Sequence, residues 1–368
     1  MAQHDYNIAN GSGLTVRGDI NDALLAVRSQ NSGSTAPTST AAGMPWLDTA
    51  TNAMKQRNAA NTAFVSQAEA IAGGALAGNR NRIINGSMKI DQRNGGATQT
   101  FTAGAALAYT VDRWYGYCTG ANITGARVTS GAENRYRFTG AASNTGVGFG
   151  QRIEAANSMD LASRICTLSC KLASSSLTTI TWTAYYANSA DTFGTLASPT
   201  RTQIATGTFT ISSTEASYNA QVSVPAGATT GIEIVLTGGA LLASQTLTIG
   251  DVQFEPGGVA TPFEVRFLGA ELSLCQRYFQ LFGGAGNNFG VQGYAIATSN
   301  VSFSYSWIVS MRDTPVVTLP TMANTNTPGL VANNPNAIGV LFAAQATATG
   351  GVSSVNTTGG AGSASAEL

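Results

Sequence analysis

The sequence predicts a mostly β protein. It has an N-terminal helix plus a small β-meander, a central jelly-roll-like β-sandwich and a C-terminal β domain. Three observations predict it. Apolar and polar residues alternate through run after run: Ile180, Trp182, Ala184 and Tyr186; Tyr218, Ala220, Val222 and Val224; Val301, Phe303, Tyr305 and Trp307. A period of two sets one face of a strand against a core. Turn clusters of Gly, Ser, Thr, Asn and Asp separate these runs at short, even intervals, as in sandwiches. Charge is scarce, at 10% of residues, while 43% are hydrophobic and 42 are glycine. Average soluble proteins carry about 25% charged residues, so hydroxyls and amides must keep this chain in solution.

The first 65 residues form one expected unit. Val16, Ile20, Leu24 and Val27 recur at helical spacing and predict an amphipathic helix, closed by Asn31-Ser-Gly with Gly33 as its cap. A polar, Pro-containing loop follows. Strands at 44–48, 53–57 and 62–65 then predict a meander on which Trp46, Met54 and Phe64 pack together. Residues 66–78 read as a neck or linker, too short for a stable lone helix.

Residues 79–265 carry the sandwich. Ile83 and Ile84 begin a strand, Asn85-Gly86 offers a tight turn, and Met88 and Ile90 return. Asp112 and Arg113 are placed to pair beside Trp114, a core aromatic. A phase shift at Gly250, between Leu247/Ile249 and Val252/Phe254, predicts a bulge. Residues 266–368 form the C-terminal domain. It opens with a helical turn at 269–274, and its strands include the run ending at Trp307. Composition alone would leave the tail disordered.

Chemistry is thinly represented. His4 is the one histidine and lies in a polar leader, so no nucleophile has a positioned base. No zinc-protease, EF-hand or phosphate-loop spacing occurs. No catalytic residue, metal or cofactor is therefore expected. Cys118, Cys166, Cys170 and Cys275 read as buried thiols, with Cys166 and Cys170 on one face of a strand. Net charge is zero with no concentrated basic patch, which speaks against nucleic acid as a partner. No apolar run approaches the ~18 residues of a membrane span, so no membrane insertion is expected. The polar start MAQHDYNIANGSG lacks the segment of a secretory signal, and folding in a cytoplasm is the expectation. Glycoside hydrolysis needs two carboxylates ~5–9.5 Å apart. The sandwich holds Asp112, Glu133, Glu154, Asp160, Asp191, Glu215, Glu233, Asp251, Glu255 and Glu264, and any two from different strands could meet.

Three segments share one resemblance: NRNRIINGSMKIDQRN at 79–94, YTVDRWYG at 109–116 and EPGGVATPFEVRFLGAELSLCQRYF at 255–279. In this order they resemble a domain of bacteriophage tail-fibre and tail-spike-like receptor-binding proteins. The phrase MRDTPVVT and the closing Ala-Glu-Leu fit the same pattern. The first unit is similar to virion-attachment modules, with Trp46 and Asp48, then Lys55, Arg57 and Asn58, then Phe64 where a tryptophan is commoner. The resemblance implies a homotrimer assembled in the host cytoplasm into a virion. Trp46, Asp48, Lys55, Arg57 and Phe64 become candidate attachment residues toward other virion proteins. It also implies an ordered, paired segment at 364–368. Non-covalent binding of a host cell-surface polysaccharide is the expected task. Asn287, Asn288, Phe289, Gln292 and Tyr294 are the candidate glycan contacts, because a loop here combines amides with aromatic faces. A purely structural virion component is the alternative. A depolymerase is disfavoured because the short-strand repeat of a long β-helix is absent.

Overall fold

The structure, a computed structural model, describes residues 3–50, 53–66, 79–104, 106–283, 289–295, 300–349 and 351–368. The chain divides into two compact units, Met1–Asn79 and Arg80–Leu368. The expected boundary at 265/266 falls inside the second unit. Of the expected neck at 66–78, residues 67–78 lie outside the described residues.

In the first unit, helix α1 (Gly13–Arg28) starts at Ser12, whose side chain accepts a hydrogen bond from the Thr15 amide. Ser29 is its C-cap, and Gln30 and Asn31 both take φ of 54°, so Gly33 does not cap the helix. Gly33 instead bridges to Asp48 and accepts from Trp46 Nε1 at 3.1 Å. Ala26 is buried, but Ile20, Leu24 and Val27 are 42%, 61% and 60% exposed. The predicted apolar stripe thus faces away from the unit's own core. Strands β1 (Pro45–Asp48), β2 (Ala53–Arg57) and β3 (Phe64–Ser66) form the expected antiparallel meander. Met54 pairs with Leu47, on the face opposite Trp46. It therefore does not join Trp46 and Phe64.

The second unit opens with the sandwich. Its strands are β4 (Gln99–Phe101), β5 (Ala108–Tyr109), β6 (Tyr115–Thr119), β7 (Ile123–Ser130), β8 (Glu133–Thr139), β9 (Gly146–Ile153), β10 (Ile165–Ser174), β11 (Thr179–Ala187), β12 (Arg201–Thr210), β13 (Ala216–Ser223), β14 (Ile232–Gly238) and β15 (Thr246–Pro256). They make two six-stranded sheets, β13-β10-β15-β8-β7-β4 and β12-β11-β14-β9-β6-β5. The chain passes repeatedly from one sheet to the other, which is the jelly-roll-like trait the sequence predicts. Ile180, Trp182 and Ala184 point inward, as do Val222, Ile232, Ile234 and Leu236. Trp114 stacks on Phe149 with ring centres 4.6 Å apart, and Phe149 on Tyr136 at 5.2 Å. Each such burial contributes about 1.5–3 kcal/mol.

The predicted bulge is present: the β10–β15 register shifts between Ser169 and Lys171, opposite Asp251 and Val252, next to Gly250. Asp251 takes φ of 45° there. Residues 80–98 form no hairpin. Asn85 is fully buried at φ 57°. Its Nδ2 donates to the carbonyls of Ile90 and Asp112, at 2.8 and 3.0 Å, and its Oδ1 accepts from the Ile90 amide at 2.9 Å. A buried irregular segment is permissible only when its polar groups are satisfied in this way. Gly86 is obligatory here, since a Cβ would lie 2.1 Å from the Val252 carbonyl oxygen. Asp112 and Arg113 do not pair with each other. Asp112 accepts from Gln92, and Arg113 turns to Glu367.

Past the sandwich come α2 (Leu268–Gln276), β16 (Phe279–Phe282), β17 (Gly290–Ala295), β18 (Asn300–Ser306), β19 (Val316–Thr318), β20 (Thr321–Thr325), β21 (Val331–Asn333), β22 (Gly339–Gln345), β23 (Gly351–Gly359) and β24 (Gly362–Ser365). Three three-stranded sheets surround Phe282, Phe289, Trp307, Met311, Phe342 and Val355. Ile84 and Ile90 from the irregular segment pack with Cys275 of α2 and with Tyr278 just beyond it. The closing segment is ordered and paired. β24 lies between β16 and β19, and the Ala366 amide donates to the Tyr278 carbonyl at 2.8 Å. Glu367 pairs with Arg93 at 2.9 Å and with Arg113. The Leu368 carbonyl oxygen accepts from Tyr109 Oη at 2.7 Å and Arg152 Nη1 at 2.8 Å. All four cysteines are buried free thiols. Burial pushes Cys166 up to about 11 and holds Cys170 and Cys275 well above the usual thiol range, which leaves them unreactive.

Candidate functional site

The five attachment candidates share one face of the meander. Trp46 pairs with Lys55, and Arg57 with Phe64, so alternation sets Trp46, Asp48, Lys55, Arg57 and Phe64 on the same side. Trp46 and Phe64 meet edge-on at 5.1 Å. Lys55 Nζ lies 4.8 Å from the Trp46 ring centre and 2.8 Å from Asp48 Oδ2. Arg57 lies over Phe64 at 5.0 Å. The face is a ladder of alternating cations and rings, with Trp46 and Asp48 buried inside it.

The structure describes three of the five glycan candidates. Asn287 and Asn288 lie outside the described residues. Phe289 is 7% exposed and packs against Phe282, Phe303 and Phe342, so its face is not open to a sugar. Its site is strand edge and core, not the surface loop that the amides around it suggest. Gln292 and Tyr294 stay together on β17, and Tyr294 is 64% exposed. Opposite them on β23 stand Ser354 and Val352, with Asn356 beyond. This is an open sheet face bearing one ring, two amides and a hydroxyl.

A larger arrangement lies on the outward face of the second sandwich sheet. Tyr115 and Tyr117 on β6 pair with Gly150 and Gly148 on β9. A Cβ on Gly148 would lie 2.1 Å from Tyr117 Cζ, and one on Gly150 would lie 2.4 Å from Tyr115 Oη. Both rings therefore lie flat across bare glycine backbone. Tyr115 Oη donates to Glu233 Oε1 at 2.6 Å, and Arg152 Nε donates to the same oxygen at 2.8 Å. Arg201 Nη1 donates to Glu233 Oε2. The Arg201 guanidinium stacks on Tyr185 at 4.1 Å. Burial raises the Tyr117 phenol; Arg201 opposes this, while Tyr185 and Glu233 add to it. These four groups thus share one electrostatic environment. Tyr117 and Tyr185 remain half-exposed. Alternation in YGYC and in TITWTAYYA already points Tyr115, Tyr117 and Tyr185 outward. Only the β6–β9 register shows that Tyr117 faces a glycine.

Two acids approach each other on the outward face of the first sheet. Glu133 and Asp251 both bind Lys171 Nζ, at 3.1 and 3.0 Å, and both bind Arg135. They line a cavity of about 330 Å³ with Ser169, Asn219 and Phe263. Arg135, then Lys171, hold the Glu133 carboxyl below the usual carboxylate range. A general acid needs the opposite shift. Among the described residues no cluster of His, Cys, Asp and Glu is arranged to hold a metal, and no helix is long and apolar enough to cross a membrane.

No protein-family model matches the chain, and no curated protein sequence does. Solved structures match it loosely. One is described as CBM4, at 15% identity, covering 47% of this chain and 98% of the other with a TM-score of 0.30. Another is the C-terminal family 22 carbohydrate binding module of Clostridium thermocellum Xyn10B, at 12% identity, covering 50% and 99% with a TM-score of 0.29. A third is the enzymatically active domain of a bacteriophage CBA120 tailspike protein, at 14% identity, covering 50% of this chain and 22% of the other with a TM-score of 0.29. At these TM-scores the fold rests on the strand order above, and no ligand is carried over from the likeness.

Proposed function

We propose that this chain is a bacteriophage fibre protein that holds a host-surface glycan without cleaving it. It joins the virion through its first unit and acts as a homotrimer assembled in the host cytoplasm. The observation that carries the glycan reading is the outward platform of Tyr117 and Tyr185 with Arg201. Two half-exposed rings on rigid strands offer flat apolar faces to a pyranose, and the guanidinium beside them supplies donors. The open face of Gln292 and Tyr294 is a second, weaker contact. Avidity across three copies raises a modest single-site affinity. The paired state of Glu133 and Asp251 supports holding over cleavage. The cation–ring ladder of Trp46, Lys55, Arg57 and Phe64 supports a rigid attachment unit.

The test is binding of the full chain to host cells and to a glycan array. Tyr117→Ala and Tyr185→Ala should each weaken binding about tenfold, or ~1.4 kcal/mol, with unchanged circular dichroism. A wild-type protein that adsorbs to no host cell and no glycan would leave the purely structural reading in its place. Release of reducing ends from host polysaccharide would overturn the non-cleaving claim.

A further inference from the structure

We propose that the platform selects an acidic sugar, a uronic or nonulosonic acid whose carboxylate docks on Arg201; this rests on the glycan reading above. The argument is one of which groups remain available. Glu233 is fully buried and both its oxygens are occupied, Oε1 by Tyr115 and Arg152 and Oε2 by Arg201. Fully enclosed, it is out of reach of a sugar hydroxyl. Arg152 is occupied on all sides, by Glu233, by the Leu368 carbonyl at 2.8 Å and by the Gly194 carbonyl at 3.0 Å. Arg201 differs. Among the described residues its only hydrogen bond is from Nη1 to Glu233. Its side chain is 13% exposed, and Nε and Nη2 make no hydrogen bond among the described residues. Two guanidiniums share the one Glu233 carboxylate here.

The polar edge that Arg201 offers is therefore cationic and donor-only. A neutral pyranose presents hydroxyls that both donate and accept, and this edge can satisfy only their acceptor half. A carboxylate presents two acceptors and a compensating charge, which a guanidinium edge receives in parallel. Tyr185 holds the guanidinium plane from one side by stacking. Among the described residues the partly exposed phenols of Tyr117 and Tyr185 make no hydrogen bond, ready for the ring hydroxyls.

The experiment titrates the full chain with acidic trisaccharides based on galacturonate, glucuronate and sialic acid. Each is matched with its methyl ester, which keeps the shape and removes the charge. The expected result is a preference for at least one acid over its ester of tenfold or more, shrinking as NaCl rises from 50 to 500 mM. Arg201→Lys keeps the charge beside Glu233 but loses the planar fork; it should lose most of that preference while melting at the wild-type temperature. Equal binding of acids and esters, or binding of neutral sugars alone, overturns the acidic assignment and leaves the glycan reading standing. An undiminished preference in Arg201→Lys overturns Arg201 as the contact. Failure to bind acids, esters and neutral sugars alike brings down both.

Discussion

Asp112 is fully buried, and its partners are the amide and side chain of Gln92. Burial raises its carboxyl from 3.8 to about 6, against the lowering by Gln92's donors. The folded state thus binds this proton more tightly than the unfolded state does. The associated cost is absent below about pH 4 and complete above about pH 6, and a shift of this size corresponds to about 3 kcal/mol. Asp112→Asn should therefore gain about 3 kcal/mol on the wild type between pH 4 and pH 7. Urea midpoints of both proteins at the two pH values check this; a constant difference would disprove the coupling. Single residues were the least legible level of this chain. Asn85-Gly86 is a strong hairpin signal in isolation, yet Asn85 is buried and bonds Ile90 and Asp112. Phe289 looked like a loop aromatic because its neighbours are Gly and Asn. Only the tertiary core, built from Phe282, Phe303 and Phe342, determines its exposure.

Elements were more legible, because a strand's period of two is a local property. Ile180, Trp182 and Ala184 announced both β11 and its inward face, and the phase shift at Gly250 announced the bulge of β15. The platform was half-legible for the same reason. Outward directions follow from alternation, but Gly148 lies opposite Tyr117 only through a pairing 31 residues away. The contacts of β24 and the residues after it were marked by resemblance alone, since their composition is that of a loop. Their weight is testable. Arg113 is 1% exposed and stacks on Tyr278 at 3.4 Å while pairing with Glu367. Removing one partner of a buried pair strands the other charge, at about 3–5 kcal/mol. Glu367→Gln should lower stability by that amount in chemical denaturation. A loss below ~1 kcal/mol would mean that Arg113 is satisfied without it.

At the scale of the whole molecule, the first unit presents a helix whose apolar residues its own core does not cover. Leu14 is 75% exposed, alongside Ile20, Leu24 and Val27 on the same helix. Side chains at such spacing suit packing against further helices of the same kind. The proposed homotrimer predicts a solution mass three times 37.6 kDa. Light scattering on micromolar protein checks it, and Leu24→Glu combined with Val27→Glu should shift the mass toward the single chain. A wild-type mass of one chain would refute the trimer.

The ion pair between Arg93 and Glu367 joins residues 274 positions apart. A ribosome adding ~5–20 residues per second needs roughly 15–55 s to cover that distance. During that interval Arg93 and Arg113 lack the Glu367 carboxylate, and for about its first two thirds the irregular segment around Ile84 and Ile90 also lacks Cys275 and Tyr278 to cover it. Native closure of the second unit therefore waits for the synthesis of residue 367. The half-made sandwich is the species most exposed to aggregation, and its yield should depend on chaperones and on expression temperature.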